Sequence, residues 1–299
     1  MNPINKLIVS FVKILPKPVT FIFARKYIAG LALSDAVNTT KQLNEKGILS
    51  TIDVLGEAIT SKDEAIEAKE ECLKVLTAIY ENKIDANLSV KPTQIGLEID
   101  ADFAYDLMVE ILQKASESNN FVRIDMEDSS VTRLTIDLYK RLRERYSNVG
   151  IVLQAYLHRT ISDTVDLNKI NANYRLCKGI YVEPEEISFK DKQEVRNKYL
   201  EGLKLILDSG CYVGIATHDE YLVNGAYKLI REKNIPNDKF EFQMLYGVTE
   251  NLRDRINADG YKIRIYVPYG EKWHHYSMRR LQENPKIAWY IVKSLFTVR

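Results

Sequence analysis

Short apolar runs alternate with longer amphipathic stretches along most of the chain. The apolar runs predict eight strands: Ile48–Thr51, Asn87–Val90, Phe121–Ile124, Gly150–Leu153, Tyr174–Cys177, Tyr212–Ala216, Phe240–Met244 and Tyr261–Val267. Helical periodicity between them predicts helices over Lys62–Tyr80, Ala101–Ser118, Ser129–Arg145, Val165–Asn171, Lys190–Ser209, Glu220–Lys233 and Glu250–Ala258. After the last strand, Pro268 and Gly270 predict a turn that leads into a helix over Trp273–Asn284.

Eight strands with a helix between each neighbouring pair are the signature of a (β/α)8 TIM-type barrel, an α/β fold that typically needs about 250 residues. Residues 46–299 are predicted to form this barrel, with a C-terminal helical tail. Residues 1–45 are predicted to form a basic, apolar N-terminal helical arm. No linker, repeat or low-complexity segment divides the chain, so one barrel with an arm fits better than two domains.

Composition and charge narrow the function classes. The chain has 299 residues, of which 45% are hydrophobic and 28% charged, as is usual for a soluble globular protein. A net charge of +1 gives no reason to expect a nucleic-acid partner. Cys72, Cys177 and Cys211 lie far apart, with no CxxC pair, so a reducing, cytoplasmic setting is the simplest expectation.

Both ends of the chain are apolar but interrupted. The first 34 residues contain five basic side chains and no acidic one, and Ile287–Phe296 is mostly apolar. The N-terminal run is too broken by charge and proline to span a bilayer, which needs about 20 mostly apolar residues. Either the ends make peripheral contact with the inner face of the cell membrane, or they pack on the body of the protein.

Polar residues follow the predicted strands at the end where barrel enzymes carry their active sites. They are Lys91 after the second strand, Asp125 and Glu127 after the third, Gln154 after the fourth, Lys178 after the fifth, Thr217 and His218 after the sixth, Gln243 at the seventh and Tyr266 at the eighth. A charged residue directly after a buried strand is costly unless it is paired or solvated in a pocket. Together these residues predict a site.

The predicted C-terminal helix carries a second group of candidate residues. Tyr276 precedes Arg279 and Arg280 by about one turn, and Glu283 lies within reach of both arginines. Because a guanidinium matches a carboxylate in shape and charge, the arginine pair predicts an anionic ligand. The alternative is a solvated, salt-bridged helix face, which is common and contributes little stability.

The residues alone leave several functions open. Lys91 or Lys178 would serve as the Schiff-base nucleophile of a barrel lyase or aldolase if it were buried and its proton affinity lowered. A non-catalytic barrel that binds an anion or a membrane partner is a further alternative. No GxGxxG or GxSxG motif is present, and the four histidines are not spaced as metal ligands, so no metal is expected.

Ordered motifs along most of the chain resemble the proline dehydrogenase family, in its monofunctional bacterial form. They are Asp53–Glu57, Ser89–Thr93, Arg123–Glu127, Gln154–Tyr156, Arg175–Tyr181, Ala216–His218, Glu241–Leu245 and the tail pattern Tyr-x-Pro-x-Gly followed by Arg-Arg-Leu-x-Glu-Asn. The resemblance implies FAD held without a covalent link across the mouth of the barrel. It also implies oxidation of L-proline to Δ1-pyrroline-5-carboxylate, with electrons passed to a membrane quinone.

The resemblance also implies a role for each matching residue. Arg279, Arg280 and Lys91 would hold the proline carboxylate, Tyr266 and Tyr181 would wall the ring, and Asp125 and Glu283 would orient the cations. Gln154, Arg175, Lys178, Thr217 and His218 would contact the flavin, and Glu57 would pair with Arg279 to close the site. A pyrroline-5-carboxylate dehydrogenase would take the product.

The chain departs from the family pattern beside Tyr181. Ile180 stands where a small alanine is usual, and Val182 stands where an aromatic residue can occur. These two differences affect the expected contacts around the flavin edge and the expected access of a quinone.

Overall fold

The computed structural model describes residues 20–21, 24–56 and 59–283, with the backbone alone for residues 275, 279 and 281–283. The strands are β1 Leu49–Val54, β2 Ala86–Val90, β3 Val122–Ile124, β4 Val149–Gln154, β5 Tyr174–Cys177, β6 Val213–Ala216, β7 Phe240–Leu245 and β8 Ile263–Tyr269. The helices are α1 Leu33–Asn44, α2 Lys62–Asn82, α3 Ala101–Glu117, α4 Ser129–Arg143, α5 Thr160–Asn168, α6 Lys192–Asp208, α7 Glu220–Glu232, α8 Glu250–Ala258 and α9 Trp273–Glu283.

The eight strands form a closed parallel barrel in the order β1 to β8. Each strand pairs with the next along the chain, and β8 closes the sheet by pairing with β1 from Leu49↔Arg264 to Val54↔Tyr269. The predicted (β/α)8 barrel is therefore confirmed. Among the described residues, no helix is long and apolar enough to cross a bilayer.

Alternation along the strands sends apolar and polar side chains to opposite sides of the barrel wall. Ile52, Leu88 and Ile151 are fully buried in the main hydrophobic core, to which helix residues such as Leu76 and Leu107 also belong. Many of the intervening positions carry polar side chains, and some of these bond to residues beyond the neighbouring strands, as Arg175 does with Asp125 and Gln243. The barrel interior is therefore polar, whereas branched apolar residues usually fill it.

The predicted strands and helices all occur, and the differences are local. The fifth helix begins at Thr160, five residues before its predicted start at Val165, because the Thr160 hydroxyl donates to the Gln154 carbonyl oxygen at 2.5 Å and fixes the first turn. A short 3₁₀ helix over Pro92–Ile95 was not predicted. The strand β1 continues to Val54 beyond its predicted end, because β8 pairs with it that far.

The helix α1 packs directly on the barrel. Its residues Ala36, Val37 and Leu43 belong to the same hydrophobic core as the strands. Residues 1–19 lie outside the described residues, as do 284–299, so the division into an arm over 1–45 and a barrel with a tail over 46–299 stays a prediction.

Gly150 marks a position where the barrel interior has no spare room. A Cβ at this residue would lie 2.7 Å from the Asn173 carbonyl oxygen and 2.7 Å from Cζ of Phe121, and would also meet the Arg123 guanidinium. Arg123 is held there by hydrogen bonds of 2.6 Å to the backbone and side-chain oxygens of Asn173. The guanidinium therefore has no alternative position nearby.

We expect Gly150→Ala to lower the free energy of unfolding by about 1–3 kcal/mol, because overpacking displaces a fixed cation. Gly202→Ala on α6 is the matched control, since the nearest atom to its new Cβ is 3.8 Å away. That variant should be unchanged or up to about 1 kcal/mol more stable, as alanine favours a helix. Urea unfolding of both variants measures the difference, and equal stabilities would contradict the packing argument.

Candidate active site

The carboxyl ends of the strands bring the predicted site residues to one mouth of the barrel. Lys91, Asp125 and Lys178 come directly after β2, β3 and β5, and Thr217 follows β6. Gln154 ends β4, while Tyr266 lies within β8. Because all eight strands are parallel, these residues surround a single opening.

Lys91 forms a buried ion pair with Asp53 of β1. Its Nζ lies 2.5 Å from Asp53 Oδ1, and the two residues are only 5% and 1% exposed. Burial raises the pKa of Asp53 to about 6, although the Lys91 charge opposes the rise. At neutral pH the pair is therefore a carboxylate beside an ammonium group, both sheltered from water.

Asp125 receives hydrogen bonds from three sides. Ser89 and Arg175 each donate to its Oδ1 at 2.6 Å, and the Tyr266 hydroxyl donates to Oδ2 at 2.7 Å. The Arg175 guanidinium also lies 5.2 Å from the centre of the Tyr266 ring. The carboxylate thus fixes Arg175 and Tyr266, which enter the mouth from β5 and β8.

A chain of polar contacts leads from Arg175 down through the barrel interior. The Nε of Arg175 donates to Gln243 Oε1 at 2.5 Å, and Gln243 Nε2 donates to Glu241 at 2.6 Å. Glu241 also accepts from Arg264 Nε at 2.6 Å. Burial raises the pKa of Glu241, but the Arg264 charge and the hydrogen bonds from Arg264 and Gln243 together hold that pKa below its ordinary value.

His218 is fixed as one neutral tautomer. The Leu245 backbone N–H donates to its Nε2 at 3.1 Å, so that nitrogen carries no proton. The proton therefore sits on Nδ1, which donates to the Thr249 hydroxyl oxygen at 2.8 Å. Burial, together with the positive charges of Arg280 and Lys178, lowers the pKa of His218 to about 4.

Lys178 and Thr217 meet around Asp219, the residue that caps α7. Asp219 Oδ2 lies 3.3 Å from Lys178 Nζ, and the same carboxylate binds Arg196 of α6 through both oxygens at 2.9 and 3.0 Å. The Thr217 hydroxyl accepts from the Asp219 backbone N–H at 3.1 Å. Two cations and a helix N-terminus therefore share one corner of the mouth.

Gln154 and Glu127 join the loops after β4 and β3. The Gln154 amide donates to the Glu127 carbonyl oxygen at 2.7 Å. The Glu127 carboxylate accepts from the backbone N–H and the hydroxyl of Thr93 at 2.9 and 2.6 Å. Glu127 thereby anchors the loop that carries Lys91.

The helix α9 adds Arg280 to this mouth. Arg280 is 8% exposed, and its guanidinium lies 5.2 Å from the centre of the Tyr276 ring. Tyr181 follows β5 and is half-buried. The backbones of Arg279 and Glu283 belong to α9, whereas their side chains lie outside the described residues, as does the whole of Glu57.

The geometry does not favour the Schiff-base alternative. A Schiff-base lysine has to lose its proton, which an apolar pocket or a neighbouring cation promotes. Lys91 and Lys178 instead each face a carboxylate, Asp53 and Asp219, and Lys178 is 41% exposed. Both environments stabilise the charged amine.

Sequence reasoning missed several members of this site. Asp53 and Ser89 lie in the family motifs, but the sequence assigns them no role, and it does not indicate Asp219 or Thr249 as site residues. Asp53 is the last residue but one of β1 and lies on the same face of the strand as Thr51, and these two features are the signals that the sequence offers for it. Nothing in the sequence points to Thr249, which reaches His218 from a loop.

Comparisons with known proteins agree with this architecture. The proline dehydrogenase family model matches residues 36–289. Proline dehydrogenase 2 of Bacillus subtilis strain 168 is 40% identical over 274 residues, which cover 92% of this chain and 90% of that protein. Proline dehydrogenase of Deinococcus radiodurans is 32% identical over 277 residues, which cover 91% of this chain and 89% of that protein.

A solved structure resembles the whole barrel. The crystal structure of proline utilization A (PutA) from Bdellovibrio bacteriovorus, inactivated by N-propargylglycine, superposes with a TM-score of 0.82 and is 26% identical. The match covers 88% of this chain and 32% of that protein, so the chain spans about a third of its length. From these likenesses the chain belongs to the proline dehydrogenase family, a family of oxidoreductases that act on proline.

Proposed function

We propose that the protein oxidises L-proline to Δ1-pyrroline-5-carboxylate with a non-covalently bound FAD and passes the electrons to a membrane quinone. The observation that carries the proposal is the buried set of paired cations and carboxylates around Asp125 at the mouth of the barrel, where buried Arg280 also interacts with His218. Such a set holds a small zwitterion in one orientation and keeps water away from it.

Arg280, Arg279 and Lys91 hold the substrate carboxylate in this proposal. Arg280 and Lys91 are both nearly fully buried, and a charge-assisted hydrogen bond sheltered from water contributes roughly 1.5–3 kcal/mol. Tyr266 and Tyr181 wall the ring, while Asp125 and Glu283 orient the cations. Tyr266 suits this role because its hydroxyl is fixed on Asp125 at 2.7 Å, which sets the plane of the ring.

The residues at the mouth fit a flavin dinucleotide. Lys178 and Arg196 at the N-terminus of α7 are the cationic donors that a pyrophosphate needs, and Gln154, Thr217 and Arg175 add polar groups along the opening. His218, held neutral, adds an imidazole without charge. When bound, the flavin supplies the acceptor for the hydride that leaves the proline ring.

The protein binds the substrate, orients it and excludes water from its pocket. The proline nitrogen must be neutral when hydride leaves, because its lone pair forms the imine. Buried Asp125, Lys91 and Arg280 hold the substrate in a low-dielectric pocket, where each charge interaction is stronger than in water. Glu57 is proposed to close the pocket by pairing with Arg279.

The loop after β5 supports electron transfer to a membrane quinone. Val182 is 100% exposed and adjoins the half-buried Ile180 and Tyr181, so apolar side chains lie at the rim of the opening. Peripheral contact of this rim and of the chain ends with the inner face of the membrane would bring quinone to the flavin. A pyrroline-5-carboxylate dehydrogenase is the proposed acceptor of the product.

The visible spectrum of the purified protein tests the proposed reaction. We expect flavin bands that bleach on anaerobic addition of L-proline and return on addition of a soluble quinone analogue. Flavin that stays oxidised with proline would contradict the substrate assignment. A protein that takes up no flavin on reconstitution would contradict the cofactor assignment.

Replacing Arg280 tests the carboxylate clamp. We expect Arg280→Met to raise the proline KM strongly and to cost about 2–4 kcal/mol in kcat/KM, with flavin content near normal. Arg231→Met is the matched control, because Arg231 also lies over a tyrosine ring of its own helix. Its guanidinium is 5.5 Å from the centre of the Tyr227 ring on α7. A wild-type KM in the Arg280 variant would contradict the clamp.

His218 makes stability depend on pH. Its folded pKa of about 4 lies below its ordinary value of 6.5, so its stabilising contribution is present above pH 6.5 and is lost as the pH falls towards 4. We expect protonation of His218 to lower the free energy of unfolding by on the order of 1–2 kcal/mol between pH 6.5 and pH 4. Urea unfolding at several pH values should show a shallower loss for His218→Gln, and equal slopes would contradict the assignment.

A further inference from the structure

The ion pair between Lys91 and Asp53 has no assigned role beyond the clamp itself. Asp53 lies on β1 and is 1% exposed, and Lys91 follows β2 and is 5% exposed. The two strands are hydrogen-bonded neighbours, with Asp53 opposite Ser89, two residues before Lys91. The contact of 2.5 Å therefore follows from the sheet register and does not depend on a flexible loop.

Lysine differs from arginine in that burial can remove its proton. An arginine stays charged in proteins, whereas the charge of a buried lysine depends on its neighbours. Arg175 already adds a positive charge to the same interior. A buried ammonium group in this position needs a carboxylate beside it to stay protonated.

Two other titratable groups that the structure describes near the pair are Asp125 and Cys72. Asp125 accepts from Ser89, Arg175 and Tyr266, so its hydrogen bonds are directed elsewhere. Burial raises the pKa of Cys72 to about 12, so this thiol carries no charge. Within the described part of the chain, Glu71 on α2 and Tyr266 and Tyr269 on β8 also interact with the pair or with its neighbours.

We propose that Asp53 is a positioning residue that keeps Lys91 protonated and directs it towards the substrate carboxylate. The inference rests on the proposed function, in which Lys91 holds that carboxylate. Above pH 7 the Asp53 carboxyl is ionised, since burial places its pKa at about 6. Without this charge Lys91 loses its proton at a lower pH, and the clamp loses a cation.

Binding of cyclopentanecarboxylate to the flavin-loaded enzyme tests the proposal. This ring has the shape of proline but no nitrogen, so between pH 7 and pH 9 it does not titrate itself. We expect the ratio of Kd for Asp53→Asn to Kd for the wild type to rise up to tenfold per pH unit within that range. The same ratio for the double variant Asp53→Asn with Lys91→Arg should stay flat, because arginine keeps its charge.

Glu241→Gln is the matched control. It also turns a buried, ion-paired carboxylate of the barrel into an amide, but its partner Arg264 cannot lose its charge. Its Kd ratio should therefore not change with pH. A flat ratio for Asp53→Asn, or a rising ratio that persists in the double variant, would overturn the proposal.

Two further measurements keep the outcome interpretable. Where Asp53→Asn does not fold, Asp53→Glu retains the charge and displaces it, so Kd should rise by a similar factor at every pH; a rise that grows with pH would overturn the proposal. The failure of the proposed function is seen separately, because then the wild type itself would not bleach with L-proline.

Discussion

Each charged side chain inside the barrel needs a buried ion-pair or hydrogen-bond partner, as Arg123 has in Asn173, and this constraint organises the rest of the structure. Closing a sheet of eight strands removes its interior from water, and an isolated ion there costs several kcal/mol. Lys91, Arg175 and Arg264 lie in this interior, and each contacts a carboxylate: Asp53, Asp125 and Glu241. The pairs connect strands around the barrel, so the contacts that balance the buried charges also position the side chains at the mouth.

The same network fixes two side chains of the proposed substrate site. Tyr266 and Arg175 are not placed by packing alone, because Asp125 bonds to both. Gln243 then ties Arg175 to Glu241, and through it to Arg264 near the other end of the strands. A change deep in the barrel can therefore reach the mouth through hydrogen bonds, which are directional and buried.

The sequence predicts the barrel well because alternation and helical periodicity are local properties. It also predicts which residues stand at the strand ends, such as Lys91, Asp125 and Lys178, and ordered motifs identify the family. It does not predict the partners of these residues, since the contact of Arg175 with Asp125 joins β5 to the loop after β3 across the interior. The sequence also does not predict the contact of Thr249 with His218, because that contact depends on the conformation of a loop.

The charge of the proposed substrate gives a physical reason for the helix that follows the eighth strand. Lys91, Arg175 and Arg264 already face carboxylates in the interior, so the carboxylate of the proposed substrate adds a negative charge that these pairs do not balance. The helix α9 follows β8 and brings Arg280, nearly fully buried, to the same opening. A cation from an added helix meets this need without disturbing the pairs that hold the strands together. The barrel thus supplies the orientation, and the added helix supplies the charge that proposed substrate binding requires.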